Sequence, residues 1–306
     1  MRGHTPVLSD ADIDAIPIEI FMAAIRHHLV ADARGAAIAP PRHYAEFPAG
    51  AIAFTIGGNH QIAGFRAYES FAAPARAAED QIVAVWDQSN CRLKAVAIGN
   101  RLGAARTGAL GGIAVDILAP RGAAVCGVVG SGLQAEAQIV AIAAVRQLAA
   151  VRIYSPNAEK RAALADRLER RGLPARATVT AKACVDAAEI VVLATNSSAP
   201  VIEPDWISPN AHVTTLGPKL KTAHELPPEI ARRARVIVSD SPQQIAAQGD
   251  RHLLHGTLEI DRIAHLGALA DGFDPDAGRG MTLYLSAGLA GSEVVALDAA
   301  AGWLKR

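Results

Sequence analysis

The sequence predicts an α/β protein: a doubly wound parallel sheet joined to a smaller antiparallel α+β module. Three observations carry this prediction. The apolar run Val125-Cys126-Gly127-Val128-Val129 ends in Gly130-Ser131-Gly132, and a helical pattern free of Pro and Gly follows over about residues 133–149. Beyond it, strand patterns alternate with helical ones as far as Val236-Ile237-Val238-Ser239, as in a parallel sheet with crossover helices. Before it, over residues 50–99, the apolar period is two and the connections are short, as in antiparallel hairpins.

The 306 residues suffice for one or two domains with a sizeable core. The 30 basic and 30 acidic residues give a formal net charge of zero, and only 4% of residues are aromatic. Neither a basic phosphate-binding surface nor a base-stacking platform is expected, so no nucleic-acid partner is expected. Hydrophobic residues make up 51%, yet no apolar run reaches the length of a membrane span, and the first eight residues lack the build of a signal peptide. A cytoplasmic enzyme with no membrane partner is expected. Cys91, Cys126 and Cys184 are widely spaced and odd in number, which fits free thiols. His252 and His255 stand three apart with no third ligand nearby, so no metal is expected.

Taken in order, Ser9 followed by Asp12 reads as a capping box. Ile18, Phe21, Met22, Ile25 and Leu29 fall at helical spacing, predicting a helix over about residues 18–30, and Pro40-Pro41-Arg42 breaks the pattern. Strands are expected over residues 51–56, 62–68, 81–86 and 91–98, with hairpin turns at Gly57-Gly58-Asn59-His60 and Asp87-Gln88-Ser89-Asn90. A helix of small residues opens at Arg106-Thr107-Gly108-Ala109 and closes before Pro120-Arg121-Gly122. After the Gly-rich turn come a strand at 151–154, a charged-faced helix at 158–171 stopped by Gly172, and strands at 189–194, 212–216 and 235–239. Residues 271–279 form a polar loop, and 281–288 give a last strand before a helix that packs back on the first module.

A strand that delivers a tight turn onto a helix N-terminus leaves backbone N–H groups and the positive dipole end free to hold a pyrophosphate. Gly130 permits the turn, Gly132 lets phosphates approach, and Ala135 lets the helix pack close to the sheet. An ordinary strand–turn–helix is the alternative reading of so common a pattern; the strand before it and the long helix after it favour a dinucleotide. At the end of the second strand an acid would bind the ribose hydroxyls of NAD. Here Ser155-Pro156-Asn157 stands there instead, with Lys160 and Arg161 just beyond. No carboxylate repels a 2′-phosphate, so NADP is the expected cofactor and NAD stays possible. The wet face of a helix is the other reading of Lys160 and Arg161. Thr195-Asn196-Ser197 closes a strand where open α/β sheets place ligands. Asp240 serves either the nicotinamide half or a helix cap. Ser286 and Gly288 read as cofactor-pocket backbone.

Several stretches together resemble the ornithine cyclodeaminase and μ-crystallin family, which also holds alanine dehydrogenases and ketimine reductases. They are Arg106-Thr107-Gly108-Ala109, Gly130-Ser131-Gly132-Leu133-Gln134-Ala135, Ala194-Thr195-Asn196-Ser197, Leu216-Gly217 with His224-Glu225-Leu226, and Ser286-Ala287-Gly288-Leu289-Ala290. The resemblance implies a Rossmann-type domain over residues 115–282 and a discontinuous substrate-binding and dimerisation domain from residues 1–114 and 283–306. It also implies a homodimer, an active site in the cleft between the domains, and cofactor contacts from Leu133, Gln134, Leu216 and Gly217.

Arg42 and Arg106 stand where the family places arginines for the substrate α-carboxylate, a role suited to the planar guanidinium fork; a salt bridge is the other reading. Arg66 falls where most members have a catalytic lysine. Arginine stays protonated, so it can orient a carboxylate or polarise an imine but not readily shuttle protons. Lys219 stands where cyclodeaminases carry a proton-transferring aspartate. This departure argues against ornithine cyclisation and leaves Lys219 either a group that protonates or binds the substrate, or a solvated loop lysine. The leading expectation is NAD(P)-dependent reduction of a small cyclic or linear α-imino acid, a ketimine of the Δ1-pyrroline-2-carboxylate type, to an amino acid. The alternatives are ornithine cyclodeaminase activity, an opine- or siderophore-type condensation of an amino acid with a keto acid, and NADPH binding without catalysis.

Overall fold

The period-two runs of the first hundred residues become one mostly antiparallel sheet. In the computed structural model, which describes residues 5–71 and 81–305, its strands are β1 (Val7–Leu8), β2 (His43–Phe47), β3 (Gly50–Gly58), β4 (Ile62–Glu69), β5 (Gln81–Asp87) and β6 (Arg92–Ile98). Among the described residues they run in the order β1-β6-β5-β4-β3-β2, with only the β1–β6 pair parallel. One face is lined by small and apolar residues: Ala51, Ala53, Val83, Val85, Ala95 and Ala97 are all buried. The helix Ser292–Trp303 lies on this face, and a Cβ on Gly64 would come within 2.9 Å of Val294. The other face is apolar but open. Val7 is 60%, Ile98 48%, Ile56 44% and Ile82 43% exposed, Phe54 stacks on Phe65 at 4.8 Å, and Phe65 lies 5.8 Å from Trp86.

These elements belong, with the helices Asp10–Asp14 and Ile18–Ala33, to a unit made of residues 1–109 and 288–306. Ser9 and Asp12 form the expected capping box. The edge strand β2 has no alternating signal, because all five of its residues are exposed. The helix expected to open at Arg106 begins at Arg101 and runs to Leu118. Its Arg101 N–H donates to Asp10 Oδ1 at 2.9 Å, so the start is fixed by a side chain 91 residues away, which no local pattern reveals.

Residues 110–287 form the second unit. Its strands are β7 (Val125–Val129), β8 (Ala150–Tyr154), β9 (Ala175–Ala177), β10 (Ile190–Leu193), β11 (His212–Thr215), β12 (Lys219–Leu220), β13 (Ala223–His224), β14 (Val236–Ser239), β15 (Ile263–His265) and β16 (Thr282–Leu285). Among the described residues, eight of them make an all-parallel sheet in the order β15-β14-β16-β11-β10-β7-β8-β9, and β12 pairs with β13 in a small hairpin. Both faces are covered, so the central strands β7 and β10 are apolar throughout rather than alternating. Within β10, Ile190 and Val192 enter the core with Ile139 and Leu164, while Val191 and Leu193 enter the opposite core with Val213 and Ile230.

The helix after the Gly-rich turn is shorter than its sequence pattern, spanning Leu133–Ala143. Beyond it the Arg146 guanidinium donates to the carbonyls of Val115 and Ala119, both at 3.0 Å, and closes the end of the preceding helix. Among the described residues, no helix is long and apolar enough to cross a membrane, and no group of His, Cys, Asp and Glu side chains could hold a metal ion.

Candidate functional site

In the parallel sheet the chain runs from β7 outward through β8 and β9, then returns to the other side of β7 as β10. That reversal opens a crevice at the carboxyl ends of β7 and β10 in any such sheet. Gly130 sits at this point with φ +135°, and a Cβ there would lie 2.9 Å from the Ala194 carbonyl carbon. Gly132 is the N-cap of the helix Leu133–Ala143; it supplies no side-chain cap, and the space around it is open. The first N–H groups of that helix are thus left to a ligand. Gln134, in the first turn, has a buried Oε1 with no hydrogen-bond partner. A glycine cradle, uncapped helix N–H groups and this orphaned oxygen fit a dinucleotide.

At the end of β8 the Ser131 hydroxyl donates to Ser155 Oγ at 2.9 Å, and Ser155 Oγ donates to the Asn157 carbonyl at 3.1 Å. Arg161 donates to the Ser155 carbonyl at 2.8 Å and lies 5.7 Å from the Tyr154 ring centroid. Asn157 caps the helix Ala158–Arg170 by accepting from the Lys160 N–H, and Lys160 itself is exposed. Ser155 and Arg161 therefore stand together, whereas the side-chain oxygen of Asn157 is committed to the helix.

The ends of β10 and β11 converge on Glu225, a residue the sequence offered only as part of a family motif. Lys219 is buried beside them, and its Nζ donates to the Gly217 carbonyl at 2.8 Å. Burial lowers its pKa to about 8, against the opposing charges of Glu225 and Asp240. It is not a solvated loop lysine. His252, also buried, is held neutral by burial and by the Lys219 charge, with a pKa of about 4. Asp240 accepts the Ala287 N–H at 2.7 Å. The helix after it is capped by Ser241 instead. Thr195 and Ser197 bond to each other through the Ser197 N–H, Asn196 is exposed, and the Ser286 N–H donates to Thr215. The His224 ring meets the Leu220 carbonyl inside the β12–β13 hairpin.

The first unit carries a cluster of guanidinium groups. Arg66, on the covered face of β4, donates from Nη1 to Glu293 Oε1 at 2.9 Å and from Nε to Gln81 at 3.0 Å, with its guanidinium 4.0 Å from the Tyr68 ring centroid. Arg106 donates to the same Glu293 oxygen. Burial pushes the Glu293 pKa up, but Arg106, Arg66 and Arg42 outweigh it and hold the group at about 2. Arg42 joins through Tyr68, with its guanidinium 5.9 Å from the same ring centroid, and separately donates to the Tyr44 hydroxyl at 3.3 Å. Gly288, with φ +86°, stands against the cluster: a Cβ there would lie 2.6 Å from Arg42 and 3.4 Å from Arg106. Glu293 and Gln81 escaped the sequence reading. The available signal for Glu293 was a lone carboxylate inside an otherwise small and apolar run.

Residues 10–301 match the Ornithine cyclodeaminase/mu-crystallin family. The chain belongs to that family. It is 30% identical over 197 residues to an iminosuccinate reductase of Paracoccus denitrificans, covering 64% of this chain and 61% of that relative's length. It is 28% identical over 229 residues to the ketimine reductase mu-crystallin of Mus musculus, covering 75% of this chain and 71% of the mouse protein. The solved structure of the Paracoccus iminosuccinate reductase with NAD+ superposes with a TM-score of 0.87 at 25% identity, covering 99% of this chain and 97% of that one. The Δ1-pyrroline-2-carboxylate reductase of Thermococcus litoralis, in complex with NADH and L-proline, has the same fold, with a TM-score of 0.85 at 21% identity over 97% of each chain. These family structures share the Rossmann-like α/β architecture described above.

Proposed function

We propose that this family member is an NAD(P)H-dependent reductase that converts a small α-imino acid to the amino acid. The carrying observation is Arg106: a guanidinium only 5% exposed, whose Nε has no hydrogen-bond partner. Glu293 already balances its charge, but a buried donor left unused is costly until an acceptor completes it, and the guanidinium fork suits a carboxylate. The similar proteins named above reduce, by their names, iminosuccinate and a ketimine, both of which are imines.

In this reading Arg106, with Arg42, holds the α-carboxylate. Arg66, fixed by Glu293 and Gln81, presents a permanent positive charge that polarises the imine. Lys219 keeps a proton at Nζ and gives it to the imine nitrogen. Gly130, Ser131, Gly132, Leu133 and Gln134 hold the dinucleotide phosphates, and residues 195–197, Leu216, Gly217, Asp240 and Ser286 border the nicotinamide half. Bound NAD(P)H supplies the hydride that reduces C=N to C–N. NADPH is the expected form, because Ser155 and Arg161 offer a hydroxyl and a cation where an NAD-binding acid would stand.

The open apolar face of the antiparallel sheet meets the same face of a second copy about a two-fold axis, giving a homodimer. A cytoplasmic setting goes with cysteines that are all unpaired.

The test is cofactor binding by fluorescence, followed by turnover of Δ1-pyrroline-2-carboxylate, iminosuccinate and linear imines formed from keto acids and ammonia. NADPH oxidation matched by amino acid formation is expected with at least one of them. Proline and ammonia from ornithine without net NAD(P)H change would overturn the reading. So would tight NADPH binding with no turnover across the whole panel.

A further inference from the structure

We infer that Glu225 is a positioning residue of this site: by binding the ends of β10 and β11 it fixes the loop that carries Lys219 and sets where the Lys219 ammonium stands. The inference rests on the proposed reductase reading, in which Lys219 donates the proton.

The Glu225 carboxylate is fully buried and fully used. Oε2 accepts from the Thr195 N–H at 2.8 Å and from the Thr195 hydroxyl at 2.7 Å. Oε1 accepts from the Thr215 hydroxyl at 2.7 Å, the Leu216 N–H at 3.0 Å and the Gly217 N–H at 2.6 Å. Three of these donors are main-chain groups just past the carboxyl ends of adjacent parallel strands, the place where open α/β sheets hold their ligands. A buried carboxylate is tolerated only when its hydrogen bonds are complete, so the network forms as a whole or fails as a whole.

Gly217 transmits this to Lys219. Its N–H is held by Glu225, and its carbonyl accepts from Lys219 Nζ at 2.8 Å. A Cβ on Gly217 would lie 2.6 Å from the Glu225 carboxyl carbon, so the peptide packs directly on the carboxylate. The main chain on the far side is pinned as well: the Leu253 N–H donates to the Lys219 carbonyl at 2.8 Å and the Lys221 N–H to the Arg251 carbonyl at 2.9 Å. The ionisable groups acting on Lys219 are Glu225 and Asp240, which favour its charged form, and the neutral ring of His252. Glu225 thus acts on Lys219 twice, through geometry and through charge.

A brace without a functional role would alter stability alone, so the experiment reads two other quantities in the full chain. The first is the titration midpoint of Lys219, followed by NMR with lysine isotopically labelled at Cε and identified by its loss in Lys219→Arg. The second is NADH affinity by protein–cofactor fluorescence, replaced throughout by NADPH affinity if the wild type binds only NADPH. Glu225→Gln removes the charge and turns an amide N–H toward main-chain donors. Its Lys219 midpoint falls by about one pH unit, and its NADH Kd rises about tenfold. Glu225→Asp keeps the charge but not the reach, so the midpoint holds near the wild-type value while the Kd still rises. An unchanged midpoint in Glu225→Gln, or wild-type NADH affinity in Glu225→Asp, overturns the inference. Should Glu225→Gln fail to fold, Glu225→Asp decides by the same affinity criterion. Should the wild type bind neither NADH nor NADPH, the cofactor reading falls, and the Lys219 midpoint in Glu225→Gln then decides this inference by itself.

Discussion

Glu293 keeps a negative charge at a depth where a carboxylate is costly, and it does so because two guanidinium groups share one of its oxygens. This pairing makes stability depend on pH with a definite sign. The folded-state pKa is depressed from the ordinary 4.5 to about 2, so the contribution is complete above 4.5 and is lost as pH falls from 4.5 toward 2. Urea unfolding across that window is expected to show a falling stability in the wild type and a flatter profile in Glu293→Gln. The variant starts about 3 kcal/mol less stable, since removing one partner leaves buried guanidinium groups uncompensated. Parallel profiles for the two proteins would show that Glu293 does not carry this dependence. Arg66 and Arg106 tell the reverse side of the same story. Their residue types were visible in the sequence as carboxylate binders, but their first partner is a carboxylate of the chain itself, 227 and 187 residues further on.

The turn after β8 gives the clearest prediction at the level of elements. Ser155→Asp places a carboxylate beside Arg161 and against an incoming 2′-phosphate. NADPH affinity is expected to fall by about tenfold or more while NADH affinity is retained, read as the ratio of the two Kd values. Equal losses for both cofactors would mean that Ser155 does not face the adenosine ribose. Elements defined by local geometry were legible in the sequence. The hairpins of β3–β4 and β5–β6 announce themselves by alternation, and the Gly130 turn by a backbone that only glycine tolerates there. Elements defined by distant partners were not. The helix at Arg101 begins early because Asp10 receives its first N–H. The helix at Leu133 ends early, six residues short of its apolar pattern at 149, and Arg146 beyond it turns to the preceding helix. Glu225 stood out in the sequence only as part of a family motif, since its five donors come from two separate segments that lie between 8 and 30 residues before it in the chain.

For the whole molecule, the open sheet face predicts assembly. Ile82→Asp and Ile98→Asp, adjacent in register and both exposed, should convert the proposed dimer to monomer in sedimentation velocity without disturbing the covered face. A wild-type chain that sediments as a monomer at micromolar concentration would remove the dimer from the account. The division of the chain into 1–109 with 288–306 and an intervening 110–287 has a consequence of another kind. On the ribosome, the sheet of the first unit is complete by Ile98, yet the helix that covers it starts only at Ser292. The inner face of that sheet, with Arg66 and Arg106 still lacking their carboxylate, must therefore wait while the entire parallel sheet is synthesised. Nascent chains stalled before residue 293 should be the ones that chaperones hold longest.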